Sequence, residues 1–124
     1  MYISIDGNDI GKRLEGLILS DNLEELQTFS SRITFLVDTI EKYIIKQGGK
    51  CFLSGGDNIL AFLPEEKVHE TVKYVNSLKK EEISFSIGIG DDVIDAYLAL
   101  KYAKSMKKGY ICQKVNDQFV VFTL

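Results

Sequence analysis

Apolar positions along the chain fall into two spacings, and the switches between them mark the elements. Tyr2-Ile3-Ser4-Ile5-Asp6 is rich in β-branched and aromatic residues and ends at Gly7, the pattern of a short buried strand. Asn8 or Asp9 offers a cap for a short helix through Ile10, Leu14 and Leu17. Ser20-Asp21-Asn22 offers a second helix start. After it Leu23, Leu26, Phe29 or Ser30, Ile33, Leu36 or Val37, Ile40 and Ile44 recur at every third or fourth position. That spacing predicts one long amphipathic helix with a single apolar stripe, stopped by Gly48-Gly49.

Lys50 to Ser54 and Ile59 to Leu63 read as two strands around Gly55-Gly56-Asp57-Asn58, a turn whose glycines tolerate the positive φ that a hairpin demands. Pro64 suits the first turn of the next helix, and Glu65 and Glu66 follow where the helix dipole favours anions. Val68, Val72, Val75 and Leu78 form its stripe. From Ile83 to Ile89, large apolar residues alternate with Ser84, Ser86 and Gly88, which is a strand by period two. Gly90-Asp91-Asp92 caps another helix, with Ala96, Ala99, Ala103 and Met106 as its inner face and Gly109 at its end. Tyr110 to Val115 and Phe119 to Phe122 make a last hairpin around Asn116-Asp117.

The order β-α-β-β-α-β, then α-β-β, predicts an α+β fold. Its first six elements match a ferredoxin-like split βαβ sheet with helices on one face, followed by an additional C-terminal helix and β-hairpin. With no internal repeat and no linker, residues 1–124 read as one domain.

Composition narrows the function. Apolar residues make up 45% of the 124 and charged residues 27%, as expected of a soluble globular chain. A net charge of -3 argues against a surface built to coat long nucleic acid, while a local basic cluster can still hold a small anion. Cys51 and Cys112 form no CxxC pair and His69 is the one histidine, which argues against a zinc site. With no leader pattern and no apolar run of the ~20 residues a bilayer requires, a cytoplasmic protein with reduced thiols and no membrane partner is expected.

The candidate chemistry follows from the topology. The first strand, ending in Asp6, lies beside the central hairpin, whose turn carries Asp57, so the two carboxylates share one edge. Two carboxylates and a backbone carbonyl form a hard oxygen site suited to Mg²⁺ or Mn²⁺. Such a site can lower the pKa of a ribose hydroxyl and stabilise leaving pyrophosphate. Taken alone, either aspartate beside glycine is an ordinary turn residue; the pairing is what points to chemistry. Asp9, Asp91 and Asp92 read as helix caps. Lys104, Lys107 and Lys108 occupy a last helical turn, where cations are favoured anyway. His69 has an exposed helical position and no role, and Tyr97 and Tyr102 read as packing residues.

Tyr2-Ile3-Ser4-Ile5-Asp6-Gly7-Asn8-Asp9-Ile10-Gly11 and Ser54-Gly55-Gly56-Asp57-Asn58 resemble the two signature segments of the minimal CRISPR polymerase family. That family is similar to the palm of the large polymerase subunit of type III CRISPR complexes, and more distantly to GGDEF diguanylate cyclases. Asp95-Ala96 through Tyr102-Ala103-Lys104 to Gly109 also resembles the ending of those cyclase domains. The resemblance implies a palm domain that joins nucleoside triphosphates, ATP favoured, into a cyclic di- or oligonucleotide in bacterial anti-phage defence, to be read by a downstream effector. It implies Asp6 and Asp57 as catalytic metal ligands, completed by the Gly7 carbonyl, with Asn58 beside them. It further implies that the amides of Asn8, Asp9, Ile10 and Gly11 cradle the triphosphate, and that Lys104, with Lys12 or Lys101, neutralises its charge. Gly55 and Gly56 would let the nucleotide approach the hairpin. A homodimer or higher homo-oligomer would bring two triphosphates face to face.

The chain departs from many relatives at Asn58, where they carry a second acidic residue. An amide oxygen brings no charge to a metal, and this motivates the alternative of a nucleotide-binding sensor without turnover. A plain interaction module is the third expectation, since ferredoxin-like domains host many roles.

Overall fold

The computed structural model describes residues 1–80, 82–106 and 109–122. Strand β1 (Tyr2–Gly7) leads through α1 (Ile10–Leu19) to α2 (Leu23–Lys46) and the hairpin β2 (Lys50–Gly55) and β3 (Asn58–Phe62). Then come α3 (Glu65–Ser77), β4 (Phe85–Gly90), α4 (Val93–Met106) and the hairpin β5 (Ile111–Val115) and β6 (Gln118–Phe122). All six strands form one sheet in the order β2-β3-β1-β4-β5-β6. β1 pairs antiparallel with β3 on one side and β4 on the other, while β5 joins β4 in parallel. The first four strands therefore have the predicted split βαβ arrangement, extended by α4 and the last hairpin.

Local chemistry sets the helix ends. Asn22 caps α2, its side chain accepting from the Glu25 N–H at 3.3 Å while its amide donates to the Glu25 carboxylate at 2.8 Å. At the other end Gly48 takes φ 87°, and the N–H groups of Gly48 and Gly49 return to the carbonyls of Ile45 and Ile44. Pro64 stands one residue ahead of α3, at its N-cap.

The alternation of β1 divides the molecule. Ile3 and Ile5 are buried on one face with Ile59, Ala61, Ile87 and Ile89, beneath Phe29, Ile33, Val37, Ile40 and Ile44 of α2 and Val72 and Val75 of α3. Ser4 and Asp6 point to the opposite face, the face of α4. There a Cβ on Gly88 would lie 2.2 Å from both the Ala96 carbonyl oxygen and the Leu100 nitrogen, so glycine alone lets the helix backbone rest on β4. Ala99 and Ala103 pack with Cys112 in a small second core.

Three expectations need correction. Met106 is 45% exposed and Leu100 takes its place in the inner face, the buried stripe being Ala96, Ala99, Leu100 and Ala103. Leu23, at the first residue of α2, is exposed rather than in the stripe. Ile83 precedes β4 and is bridged to Lys80 instead. Lys107 and Lys108, expected in the last turn of α4, lie outside the described residues. Both cysteines are free, and among the described residues no helix is long and apolar enough to cross a membrane.

Two glycine substitutions should act in opposite directions. Gly88→Ala drives a methyl into the backbone of α4 and should cost about 3 kcal/mol or more. Gly16→Ala, mid-helix with nothing within 4 Å of the added carbon, should stabilise by about 0.5–1 kcal/mol. Urea denaturation of the two variants beside the parent measures both.

Candidate active site

The β1–β3 register places Asp6 opposite Asn58, and the β1–β4 register places it opposite Ser86. One residue further on, the Gly7 N–H donates to the Asp57 carbonyl at 3.0 Å, which ties the end of β1 to the hairpin tip. The tip turns through Gly56, whose φ is 56°. A Cβ on Gly7 would lie 2.6 Å from Ile10 Cγ1, 3.1 Å from Asp57 Cβ and 3.2 Å from its Oδ2, so the approach of Asp57 requires glycine there.

The result is a pair of carboxyl groups in hydrogen-bond contact. Burial raises the Asp57 carboxyl above its ordinary range, the charge of Asp6 and the hydrogen bond between the two raise it further, and a backbone hydrogen bond and Lys104 pull it partly back. Lys104 reaches across from α4, its Nζ 2.8 Å from Asp6 Oδ2 and donating to the Gly7 carbonyl at 3.0 Å. Asn8 Oδ1 lies 3.5 Å from the same ammonium.

Asn8 itself is a buried hub. Its N–H donates to the Ser84 carbonyl at 2.9 Å and its amide to Ser84 Oγ at 3.0 Å, while Ser86 Oγ donates to its Oδ1 at 2.8 Å. The Asn8 amide, expected among the phosphate-cradling groups, is thus already engaged in fixing the β1–α1 turn to β4. Ser84 and Ser86 escaped the sequence reading. Their signal was there: two hydroxyls at alternate positions, one just ahead of an otherwise apolar strand and one within it, with the second fully buried.

The other expected residues spread around this centre. Asp9 occupies the N-cap of α1 with φ 57° and makes no side-chain capping bond, so its predicted capping contact does not form. Its carbonyl accepts from the Arg13 N–H, which leaves the amides of Ile10, Gly11 and Lys12 in the first turn without intrahelical partners. The Lys12 side chain is exposed there, whereas Ile10 is buried beneath Gly7. Gly55 and Gly56 face open space, and Asn58 reaches Asp57 Oδ1 at 3.4 Å. Asp92 does cap α4, accepting from the Asp95 N–H at 2.7 Å.

A cleft of about 490 Å³ opens beside Asp6, between α4 and strands β1 to β3, lined by Leu53, Leu60, Ile94, Tyr97, Lys101 and Lys104 among others. Tyr97 is 51% exposed along it, with the Lys101 ammonium 5.1 Å from its ring centre, rather than packed as expected; it flanks the buried stripe of α4 instead of joining it. Tyr102 does pack, stacked on Phe119 at 4.4 Å.

These oxygens fit a hard divalent cation. Asp6 and Asp57 are like charges forced together, Asp57 is raised by burial and by that proximity, and a positive group already sits against Asp6 and the Gly7 carbonyl. Among the described residues no third His, Cys, Asp or Glu joins the pair, so backbone oxygen would have to complete the set.

A mixed sheet of this order, with carboxylates at the end of its central strand and at the tip of the adjoining hairpin, is the palm fold of nucleotide cyclases and polymerases. The chain belongs to the mCpol family: the model of the minimal CRISPR polymerase domain matches residues 2–113. Among solved structures it is similar to a diguanylate cyclase/phosphodiesterase from Caldicellulosiruptor saccharolyticus. That likeness has a TM-score of 0.61 over 96% of this chain and 77% of the other, at 17% identity, and is one of fold. Comparison with curated proteins gives no match.

The raised Asp57 carboxyl fixes a pH dependence. Its folded pKa lies above its unfolded one, so in chelator the fold binds that proton more tightly than the unfolded chain. Its contribution to stability is therefore fully present below the unfolded value and lost as pH rises through the raised one. Asp57→Asn should remove this loss and melt higher than the parent at neutral pH, with the difference shrinking toward acid. Thermal melts across that range without divalent metal test it.

Proposed function

We propose that the chain is a metal-dependent nucleotidyltransferase that makes a cyclic di- or oligonucleotide signal from nucleoside triphosphates, with ATP favoured. The observation that carries this reading is the Asp6–Asp57 carboxylate pair with the Gly7 carbonyl and Lys104 at one sheet edge. Asp6, Asp57 and the Gly7 carbonyl, with Asn58 beside them, would hold Mg²⁺ or Mn²⁺, which when bound acidifies a ribose hydroxyl and offsets phosphate charge.

The chain's own groups position the reactants. First-turn amides of α1 attract an anion, since their N–H groups and the helix dipole point the same way. Lys104 and Lys101, on the wall of the cleft, neutralise the triphosphate, and the apolar wall of Leu53, Leu60 and Ile94 shelters the nucleoside. A ribose hydroxyl of one nucleotide attacks the α-phosphorus of another. A new P–O bond forms, the bond to pyrophosphate breaks and the hydroxyl proton leaves to solvent. In-line transfer of this kind depends on positioning and charge more than on a dedicated base. Two copies of the chain would present two triphosphates to each other. Such a signal would serve antiviral defence in the cytoplasm, through a downstream effector that reads it.

A second reading rests on Asn58, the neutral residue opposite Asp6 in the ladder. It is a sensor of the same fold that binds nucleotide without turnover.

Purified protein incubated with the four ribonucleoside triphosphates and Mg²⁺ or Mn²⁺ should yield a cyclic product by chromatography and mass spectrometry. Asp57→Ala and Asp6→Ala should each reduce it by about 10²–10³-fold or more, the scale for losing a principal charge-stabilising group. Metal-dependent binding without product would point to the sensor. Neither binding nor product would overturn both readings in favour of an interaction module.

A further inference from the structure

Lys104 stands where a cation is wanted. Its Nζ lies 2.8 Å from Asp6 Oδ2, 3.0 Å from the Gly7 carbonyl oxygen and 3.5 Å from Asn8 Oδ1. The first two oxygens are those that the proposed function gives to the divalent ion. From this geometry we infer that Lys104 is the site's resident cation and that a divalent ion gains these oxygens only when Lys104 leaves them. Metal and nucleoside triphosphate are therefore taken up together, the phosphates receiving the ammonium that the metal displaces. The inference rests on the reading of the site as one that binds metal and nucleotide.

The exchange follows from charge and from reach. An ammonium and a divalent ion repel at contact distance and cannot share the same two oxygens. Until a divalent ion takes these oxygens, the Lys104 ammonium is the positive group they face. That ammonium must therefore be relocated when the metal arrives. Neither the helix nor the oxygens can do the moving. Gly88 and Gly90 hold the α4 backbone against β4, and Ser84 and Ser86 hold Asn8. The lysine side chain can move. It is 31% exposed and lines the cleft beside Asp6, so its four-carbon stem can swing the ammonium toward a bound phosphate without backbone change. Free metal meets a competitor at its own ligands; metal arriving with a triphosphate brings the competitor a better partner.

The test measures binding of Mn²⁺ alone, from the paramagnetic signal of the free ion, in the parent, Lys104→Met and Lys101→Met. Lys104→Met should bind Mn²⁺ about tenfold more tightly than the parent, within the ordinary range of coupling between sites, and ATP more weakly. Lys101→Met removes the same charge from the cleft wall without vacating the oxygens, and should change Mn²⁺ affinity by about twofold or less. Melting temperatures in chelator establish folding, and Lys104→Gln gives the same comparison should Lys104→Met fail to fold. Equal Mn²⁺ affinity in the parent and Lys104→Met would overturn the exchange, as would an equally large effect of Lys101→Met. In either case Mn²⁺-dependent ATP binding by the parent would leave the proposed function standing. Absence of Mn²⁺ binding with and without ATP in all three proteins would overturn that function and the exchange with it.

Discussion

A single backbone hydrogen bond, from the Gly7 N–H to the Asp57 carbonyl, closes the ladder between β1 and the β2–β3 hairpin. It forces together two acidic side chains that would otherwise stay apart. The energy for this comes from the reverse face, where Ile3, Ile5, Ile59 and Ile87 are almost fully buried against α2 and α3. Slipping the register by one residue would put Asp6 into that core and the isoleucines into water. The hydrophobic face thus fixes the polar one, and the strained electrostatics of the site are sustained by packing that touches none of it.

The α4 side completes the arrangement by contact rather than by sequence proximity. Small residues on both partners, glycines in β4 and alanines in α4, bring helix and sheet close enough for Lys104 to reach Gly7 across 97 residues of chain. The helix buries Ala96, Ala99, Leu100 and Ala103, two of them against Cys112 in the small second core. Its main contribution is placement: one cation over the carboxylates, and a wall for the cleft beside them.

Much of this was legible in the chain itself. Alternation in Tyr2–Asp6 and Phe85–Ile89 marks strands because one face of each is buried without exception, and the spacing from Phe29 to Ile44 marks α2 for the same reason. Asp6 and Asp57 could be paired because topology follows from element order. Side-chain meetings between elements could not. Periodicity says that Asn8 follows a strand, not that Ser84 and Ser86 receive it; it says that Tyr97 lies on a helix, not that its face opens on a cleft. Met106 shows the limit within one element: an alanine stripe does not declare where it ends, and Leu100 filled the inner face instead. Asp9 shows another, since a residue type suited to capping can hold the position and still turn its side chain elsewhere.

The central place of β1 also bears on how the chain folds. Tyr2 lies opposite Phe62 on one side and Gly90 on the other, so the middle of the sheet is made wholly of distant pairings. Loop closure over such separations is slow, and until both neighbours arrive β1 is an apolar strand with two open edges. The α1–α2 pair and the two hairpins can form from local contacts, whereas the site waits for β1 to be enclosed and for α4 to settle on Gly88. Assembly of the carboxylate edge thus depends on pairings far apart in sequence, and a chain cut short in α4 ahead of Lys104 would lose β5 and β6 and leave its carboxylates without their counter-ion.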